Sequence, residues 1–142
     1  MEIIIIGGGA VGASICAQLA KEGHNITVVD VDSTPLTKIS NICDVITIEC
    51  NGANIAVLKK AGAEKAHLLI AVTSGDELNI LSCAAAKKLG TLHTIARVRN
   101  PEYSELMQVM KSEMNLSLTI NPERRQRSIY FTAEESSSHS LP

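Results

Sequence analysis

The chain has 142 residues, 45% hydrophobic and 20% charged, and its 13 basic and 15 acidic side chains give a formal net charge of -2. A chain of this length hides roughly two-thirds of the surface that it exposes when unfolded, which is enough for one core. We therefore do not expect a complete two-domain dehydrogenase. The absence of a basic excess argues against DNA or RNA as a partner.

Short runs rich in β-branched residues alternate with longer stretches of helical spacing from the first residue to about residue 120. This alternation is typical of βαβ units with a parallel sheet. It predicts a doubly wound, Rossmann-like α/β fold with about six strands and helices on both faces. The strands are predicted at residues 2–6, 26–30, 45–49, 67–72, 93–98 and 117–120.

The gaps between the strands are predicted to be helices, and their ends carry recognisable signals. Three helices are expected to end at lysine followed by glycine, a pattern that complements the helix dipole and supplies the left-handed residue after it. These endings are residues 21–23, 59–62 and 87–90. Residues 74–77 (SGDE) predict a capping box, and the Asn-Pro-Glu sequences at residues 100–102 and 121–123 each predict a helix start.

The predicted organisation is a nucleotide-binding domain over residues 1–120, the start of a connector helix over 121–133 and a disordered polar tail over 134–142. The longest apolar runs fall far short of the ~20 residues of a membrane span. The chain starts with an apolar strand rather than a basic signal region, so we expect a cytoplasmic protein without direct membrane insertion.

The strongest motif is the sequence GGGAVG at residues 7–12, which follows the first predicted strand and opens the first predicted helix. Gly7 permits the tight turn, Gly9 lets backbone amides approach a pyrophosphate, and Gly12 lets the helix pack against the strand. The phosphates are then expected at the helix N-terminus.

An acidic residue ends the second predicted strand, 18 positions after Gly12. The carboxylate of this Asp30 can accept hydrogen bonds from the adenosine ribose hydroxyls and repels a 2′-phosphate. Residues 31–34 contain no Arg or Lys, so NAD(H) is favoured over NADP(H). Asp32 belongs either to the same site or only to the start of the next helix.

Other candidates lie where later strands end, beside the expected nucleotide. Asn51 and Gly52 follow the third strand, and Thr73 and Ser74 follow the fourth, where they could bind the ligand, cap the next helix or do both. Arg97 lies near the carboxyl end of the fifth strand within an apolar run, where its charge needs an anionic partner. That partner is either a ligand phosphate, a carboxylate of the site or a surface ion pair.

Catalytic and metal-binding patterns are missing from the sequence. There is no Tyr-xxx-Lys pair, and the four histidines (His24, His67, His93 and His139) are poorly placed for proton transfer near a nicotinamide. The cysteines form neither a CxxC pair nor a zinc pattern, and we expect buried or half-buried free thiols at Cys16, Cys43, Cys50 and Cys83. The chain is predicted not to be an enzyme.

Several segments together resemble the N-terminal nucleotide-binding domain of the Trk potassium-uptake proteins, also called the TrkA-N, KTN or RCK domain. The resemblance covers about residues 1–131. It rests on GGGAVG at 7–12, ITVVDVD at 26–32, NGANIAVLKKAGAEKAHLLIAVTSGDELN at 51–79, IARVRNPEY at 95–103 and INPE at 120–123. The block at 51–79 separates this family from generic Rossmann enzymes.

The resemblance implies a cytoplasmic regulatory subunit, peripheral to the membrane through its partner. Such domains assemble as homo-oligomers, dimers or tetramers, and gate a TrkH-like membrane potassium translocator. By position, the pyrophosphate would be wrapped by Gly7, Gly8, Gly9, Ala10 and Val11, the ribose bound by Asp30, the adenosine side by Asn51, Thr73 and Ser74, and the distal phosphate or ribose by Arg97.

One departure from some relatives concerns the ligand. Relatives that bind ATP or ADP place an arginine inside the glycine loop, where this chain has Ala10. The departure favours NAD(H) and leaves ATP, ADP or AMP possible. Full-length relatives also continue into a small C-terminal domain, so we expect this chain to be a truncated regulatory subunit. The alternatives are a small NAD-dependent oxidoreductase and an assembly module with a vestigial glycine loop.

Overall fold

The computed structural model describes residues 1–109 and the backbone of residues 118–120 and 129–131. The strands are β1 (Glu2–Ile6), β2 (Asn25–Asp30), β3 (Ile46–Glu49), β4 (Leu68–Ala71), β5 (His93–Arg97), β6 (Leu118–Ile120) and β7 (Ile129–Phe131). The helices are α1 (Ala10–Lys21), α2 (Ser33–Ile42), α3 (Ile55–Lys60), α4 (Asp76–Leu89) and α5 (Pro101–Val109). None of these helices is long and apolar enough to cross a membrane.

The strands form one sheet in the order β3-β2-β1-β4-β5-β6-β7. Neighbours from β3 to β6 pair in parallel, and β7 pairs antiparallel with β6. The chain moves outward from β1 to β3 and then returns to the other side of β1 with β4. This reversal creates a crevice between the carboxyl ends of β1 and β4, the usual ligand position in such sheets. The predicted doubly wound, Rossmann-like fold is confirmed.

The sheet is covered on both faces, as the apolar sequence of β1 requires. Ile3 and Ile5 pack in the cluster that includes Cys16 of α1, whereas Ile4 and Ile6 pack in a second cluster on the other face with residues of α3 and α4. All four isoleucines are buried. A strand buried on both faces has no polar alternation, which is why four consecutive isoleucines form one.

The predicted helix ends are largely confirmed. Gly23, Gly62 and Gly90 follow α1, α3 and α4 with φ of 86°, 97° and 130°. The Asn100 side chain accepts the Glu102 amide at 2.9 Å at the start of α5.

The predicted capping box at residues 74–77 is wrong. The N-cap of α4 is Gly75, which makes no side-chain capping bond. The Asp76 carboxylate is instead committed to a distant segment, because its oxygens accept the amides of Arg99 at 3.0 Å and Asn100 at 2.8 Å. Tertiary contacts therefore override the local signal.

The region after residue 120 differs from the predicted connector helix where it is described. Residues 129–131 form β7, whose Ile129 and Phe131 pair with Ile120 and Leu118 of β6. β-Branched and aromatic residues suit a strand, and β6 offers an unpaired edge. Residues 121–128 of the connector helix predicted over 121–133, and the polar tail at 134–142, lie outside the described residues.

Candidate functional site

A cleft of about 680 Å³ lies at the carboxyl ends of β1, β2, β4 and β5. Its volume falls within the roughly 300–1,000 Å³ that is usual for small-molecule sites. The predicted binding residues that line it are Gly7, Gly9, Ala10, Val11, Asp30, Asp32, Gly52, Thr73, Ser74 and Arg97. Gly8, Gly12 and Asn51 were predicted for the same site and do not line it.

The glycine loop turns the chain sharply from β1 into α1. Gly7 has a φ of 108°, and its amide donates to the Val29 carbonyl of β2 at 2.8 Å. A Cβ at Gly12 would lie 1.9 Å from the Gly7 carbonyl oxygen. Gly12 therefore acts by allowing α1 to pack directly against the loop.

The N-terminus of α1 lies at the cleft, because Gly9, Ala10 and Val11 line it. Its N-cap is Gly9, which makes no side-chain capping bond, and the first turn contains no acidic residue. Among the residues that the structure describes, a Cβ at Gly9 would have no neighbour within 4 Å. The first amides of a helix lack intrahelical partners and carry partial positive charge, so this end is open to an anion.

Two aspartates organise the side of the cleft that β2 forms. The Asp30 carboxylate accepts the Gly8 amide at 2.6 Å through Oδ2 and the Asp32 amide at 2.9 Å through Oδ1. Asp32 accepts the Thr34 amide at 3.0 Å and is the N-cap of α2. Asp32 thus has the helix-start role that the sequence left open, and it also lines the cleft.

The segment after β3 contributes backbone more than side chains. The Asn51 side chain accepts the Ala53 amide at 2.7 Å and thereby stabilises its own turn. A Cβ at Gly52 would lie 2.4 Å from Cγ2 of Ile6, so this position needs glycine for close approach to β1. Asn51 therefore shapes the loop that carries Gly52 into the cleft wall.

The loop after β4 depends on a residue that the sequence did not single out. Oδ1 of Asn79 in α4 accepts the Thr73 amide at 2.9 Å and the Thr73 hydroxyl at 2.6 Å. Its Nδ2 donates to the carbonyls of Thr73 at 3.0 Å and Arg97 at 2.8 Å. A helical asparagine on the buried face, eight residues after the end of β4, was the available signal.

Arg97 ends β5 and is half-buried in the cleft wall. Among the described residues, its guanidinium makes no hydrogen bond or ion pair. The surface ion pair, one of the partners that the sequence left open for Arg97, is therefore not present in this part of the chain. A cation at the wall of an open cleft is available for an anionic ligand.

Three of the four cysteines are buried or half-buried, as expected. Cys16 and Cys83 are buried and Cys43 is half-buried, but Cys50 is exposed, contrary to the prediction, because it follows the edge strand β3 at the cleft. Burial raises the pKa of the Cys16 thiol to about 11, and the neighbouring Cys43 thiol contributes. Burial also raises the pKa of the Cys83 thiol.

Three histidines lie at the amino ends of strands, away from the cleft. His24 and His67 immediately precede β2 and β4, and His93 begins β5. His67 accepts the Glu2 amide at 2.9 Å. Within the described ranges, no group of three or more His, Cys, Asp or Glu side chains could hold a metal ion.

Comparison with known sequences identifies similar proteins. The chain is 38% identical over 123 residues to the Trk system potassium uptake protein TrkA homolog of Archaeoglobus fulgidus and 39% identical over 126 residues to the Trk system potassium uptake protein TrkA of Halomonas elongata. Each match covers 87% of this chain and 28% of the relative. The chain thus spans less than a third of either protein.

Solved structures share the fold. The TrkA-N domain of the inner membrane protein ybaL from Escherichia coli superposes with a TM-score of 0.76 at 18% identity, covering 99% of this chain and 96% of that one. The GsuK channel bound to NAD matches with a TM-score of 0.64 at 20% identity, over 74% of this chain and 19% of the channel chain. The Kef C-terminal domain of Shewanella denitrificans in its AMP-bound form gives 0.66 at 16% identity, over 84% and 70%.

The family follows from the sequence match over nearly the whole described region. A family model for the TrkA-N domain matches residues 3–118, which include every residue that lines the cleft. The chain belongs to the TrkA-N domain family.

Proposed function

We propose that this domain binds NAD(H) in the cleft and serves as the nucleotide sensor of a Trk-type potassium uptake system. The observation that carries the proposal is the Asp30 carboxylate, held by the Gly8 amide beside the open N-terminus of α1. This arrangement offers an acceptor for ribose hydroxyls next to a site for phosphate.

The pyrophosphate would bind the loop and the first turn of α1. The free space at Gly9 and the uncapped helix end support this placement. Ala10 and Val11 line the cleft and would contribute backbone amides, while Gly7 and Gly12 set the turn. Gly8 would act indirectly, because its amide is already bonded to Asp30.

The adenosine ribose would bind Asp30, whose oxygens each retain a lone pair after accepting one amide. A 2′-phosphate at this position would meet the charges of both Asp30 and Asp32, which favours NAD(H) over NADP(H). Gly52, Thr73 and Ser74 would form the opposite wall, and Arg97 would bind the distal phosphate or ribose.

The biological role is proposed from the relatives, which are named Trk system potassium uptake proteins. We place this domain in the cytoplasm, peripheral to the membrane, as part of a homo-oligomer that gates a TrkH-like potassium translocator. Bound nucleotide would favour one arrangement of paired domains. The ligand can shift that equilibrium only by its difference in affinity for the two arrangements.

A binding role rather than catalysis is supported by the chemistry of the cleft wall. Its described titratable side chains are Asp30, Asp32, Cys50 and Arg97. Both carboxylates are already committed to backbone amides, and neither is arranged as a proton donor. Catalytic turnover of a substrate by the purified chain would revive the oxidoreductase alternative.

A second ligand class is supported by structures of the same fold. A Kef domain was solved with AMP, and the GsuK channel with ADP as well as with NAD. The same cleft could therefore sense adenine nucleotides, with the phosphates at α1. Comparing ligands directly distinguishes the two possibilities.

The test is a calorimetric titration of the chain with NADH, NAD, NADPH, ATP and ADP. We expect micromolar binding of NAD or NADH, at least tenfold weaker binding of NADPH, and loss of binding in Asp30→Ala. The matched control is Asp44→Ala, which removes the same charge from an exposed site. Asp44 precedes β3 at its amino end, whereas the cleft lies at the carboxyl ends of the strands.

The opposite results are equally informative. Preference for ATP or ADP would make the domain an adenine-nucleotide sensor, and binding that survives Asp30→Ala would contradict the proposed site. In a full-length relative carrying this domain, a nucleotide without effect on assembly or potassium transport would contradict the regulatory role.

A further inference from the structure

Asn79 is a fully buried polar residue, with 0% of its surface exposed, and its side-chain amide uses both donors and accepts twice. All four bonds go to Thr73 and Arg97, which both line the cleft. An amide buried without partners is strongly unfavourable, so a fully bonded one specifies a single local arrangement. Asn79 thus ties two walls of the cleft together.

Asn79 links the loop after β4 to the end of β5 at a point where the two strands are no longer paired. The pairing of β4 with β5 ends at Ala71 and Ala96. Thr73 and Arg97 lie just past that last pair of the two strands. The Nδ2 group of Asn79 links the two segments there by donating to the carbonyls of Thr73 and Arg97 at once. The side chain therefore holds the distance between the loop after β4 and the end of β5.

The cleft is long relative to a mononucleotide. Asp30 ends β2 and Arg97 ends β5, and in the sheet these strands are three spacings of about 4.8 Å apart, roughly 14 Å in all. In the binding mode proposed above, a nucleoside monophosphate would place its ribose at Asp30 and its single phosphate at α1, one strand spacing away. Only the second half of a dinucleotide would then extend toward Arg97.

We propose that Asn79, anchored on the Thr73 loop, is a positioning residue that sets Arg97 for the second half of a dinucleotide, and so determines the preference for NAD over AMP. This inference rests on the proposed function, since it assumes a nucleotide between Asp30 and α1. Asn79 itself touches no ligand. Its effect passes through the two carbonyls and the Thr73 amide that it bonds.

The test compares the dissociation constants of NAD and AMP in the 142-residue chain by calorimetry. We expect Asn79→Ala to weaken NAD binding about tenfold while AMP binding changes less than twofold, and Arg97→Ala to behave alike. The double variant should be no weaker for NAD than Arg97→Ala alone, because both changes remove the same contact.

The matched control is Ser82→Ala on the same helix. Ser82 is also fully buried, but its hydroxyl has no hydrogen-bond partner among the described residues. Its replacement should leave both affinities unchanged. If Asn79→Ala does not fold, Asn79→Ser leaves a smaller polar group in the same space and removes the amide that bonds both carbonyls, and the same ratio is measured.

Equal weakening of NAD and AMP, unchanged binding of both, or additive losses in the double variant would overturn the inference while leaving the proposed function intact. Failure of the unaltered chain to bind either nucleotide would overturn the proposed function and this inference with it. A fall in melting temperature alone, with an unchanged NAD-to-AMP ratio, would assign Asn79 a purely structural role.

Discussion

The Asp30 carboxylate and the Gly8 amide, 22 positions apart in sequence, are joined by a hydrogen bond of 2.6 Å that links the end of β2 to the loop after β1. The same carboxylate accepts the Asp32 amide. Asp30 therefore organises the loop itself, in addition to any contact with a ligand. Loop geometry and ribose recognition depend on one side chain.

Removing this carboxylate should destabilise the domain more than removing its neighbour. Hydrogen bonds to charged groups contribute about 1.5–3 kcal/mol each. The bond to the Gly8 amide is partly buried and should dominate, because the bond to the Asp32 amide is exposed. Asp30→Ala should therefore lower the free energy of unfolding by about 2–3 kcal/mol. The control Asp32→Ala removes only the N-cap of α2 and should cost about 1 kcal/mol. Urea denaturation measures both, and NMR hydrogen exchange should show faster exchange of the Gly8 amide only in Asp30→Ala. Equal losses would contradict the linking role.

Two glycines of the loop should separate folding from binding. Gly12→Ala places a Cβ 1.9 Å from the Gly7 carbonyl oxygen and should cost more than about 3 kcal/mol or prevent folding. Gly9→Ala meets no protein atom within 4 Å and adopts an extended conformation that alanine tolerates. We expect its unfolding free energy to stay within about 0.5 kcal/mol of the original.

Gly9→Ala, which should leave folding unchanged, is expected to weaken binding. Gly9→Ala puts its Cβ into the open space where the pyrophosphate is proposed, so NAD affinity should fall at least tenfold in a fully folded protein. Thermal unfolding and calorimetry on the same sample check both statements. Normal NAD affinity in Gly9→Ala would move the phosphates away from α1.

The buried thiol of Cys16 should make the domain less stable at alkaline pH. Its pKa is raised from 9.0 to about 11, first by burial and then by Cys43. Above pH 9 the unfolded chain loses this proton more readily than the folded chain does. The stabilising contribution is therefore complete below pH 9 and is lost as the pH rises toward 11. Urea midpoints at pH 8 and 10.5 should differ less in Cys16→Ala than in the original chain.

Alkylation gives an independent check of the same burial. At pH 8, iodoacetamide should modify the exposed Cys50 first and the half-buried Cys43 more slowly, and spare Cys16 and Cys83 until the chain unfolds. Cys50→Ala is the control and should leave the alkaline stability loss unchanged. Early modification of Cys16 in the folded protein would contradict its packing in the α1 face of the sheet.

A pair at the starts of α4 and α5 should be visible in titrations. The Tyr103 hydroxyl donates to the Glu77 carboxylate. This bond is the main cause that raises the pKa of Tyr103 and lowers the pKa of Glu77. In Glu77→Gln, the pKa of Tyr103 should move back down toward 10.0, as followed by NMR of the labelled tyrosine ring carbon. Glu102→Gln is the control, since the charge of Glu102 contributes least to the raised pKa of Tyr103. An equal fall in the Tyr103 pKa in Glu102→Gln would contradict the role of the hydrogen bond.

Much of the fold could be predicted because its signals are local. The four isoleucines of β1 identify a strand buried on both faces, and the glycines after α1, α3 and α4 mark helix ends from their immediate neighbours. The glycine loop and Asp30 were predictable for the same reason, since their spacing encodes a βαβ unit.

The errors arose where a residue bonds to a distant segment. Asp76 gives up the predicted helix cap to bind the amides of Arg99 and Asn100, and residues 129–131 form a strand because β6 offers an edge. Cys50 was expected inside, but β3 is the edge strand of the sheet and leaves it exposed. None of these partners is adjacent in sequence.

The sequence by itself determined the order of strands and helices from β1 to β6, the turn at Gly7 and the acidic residue that ends β2, because backbone conformation and hydrophobic periodicity depend on residues within one or two turns. Only the tertiary structure decided which strands lie side by side. That arrangement brings Asn79 between Thr73 and Arg97, and it aims Asp30 at the Gly8 amide. These contacts depend on strand order, which is set by packing over the whole domain.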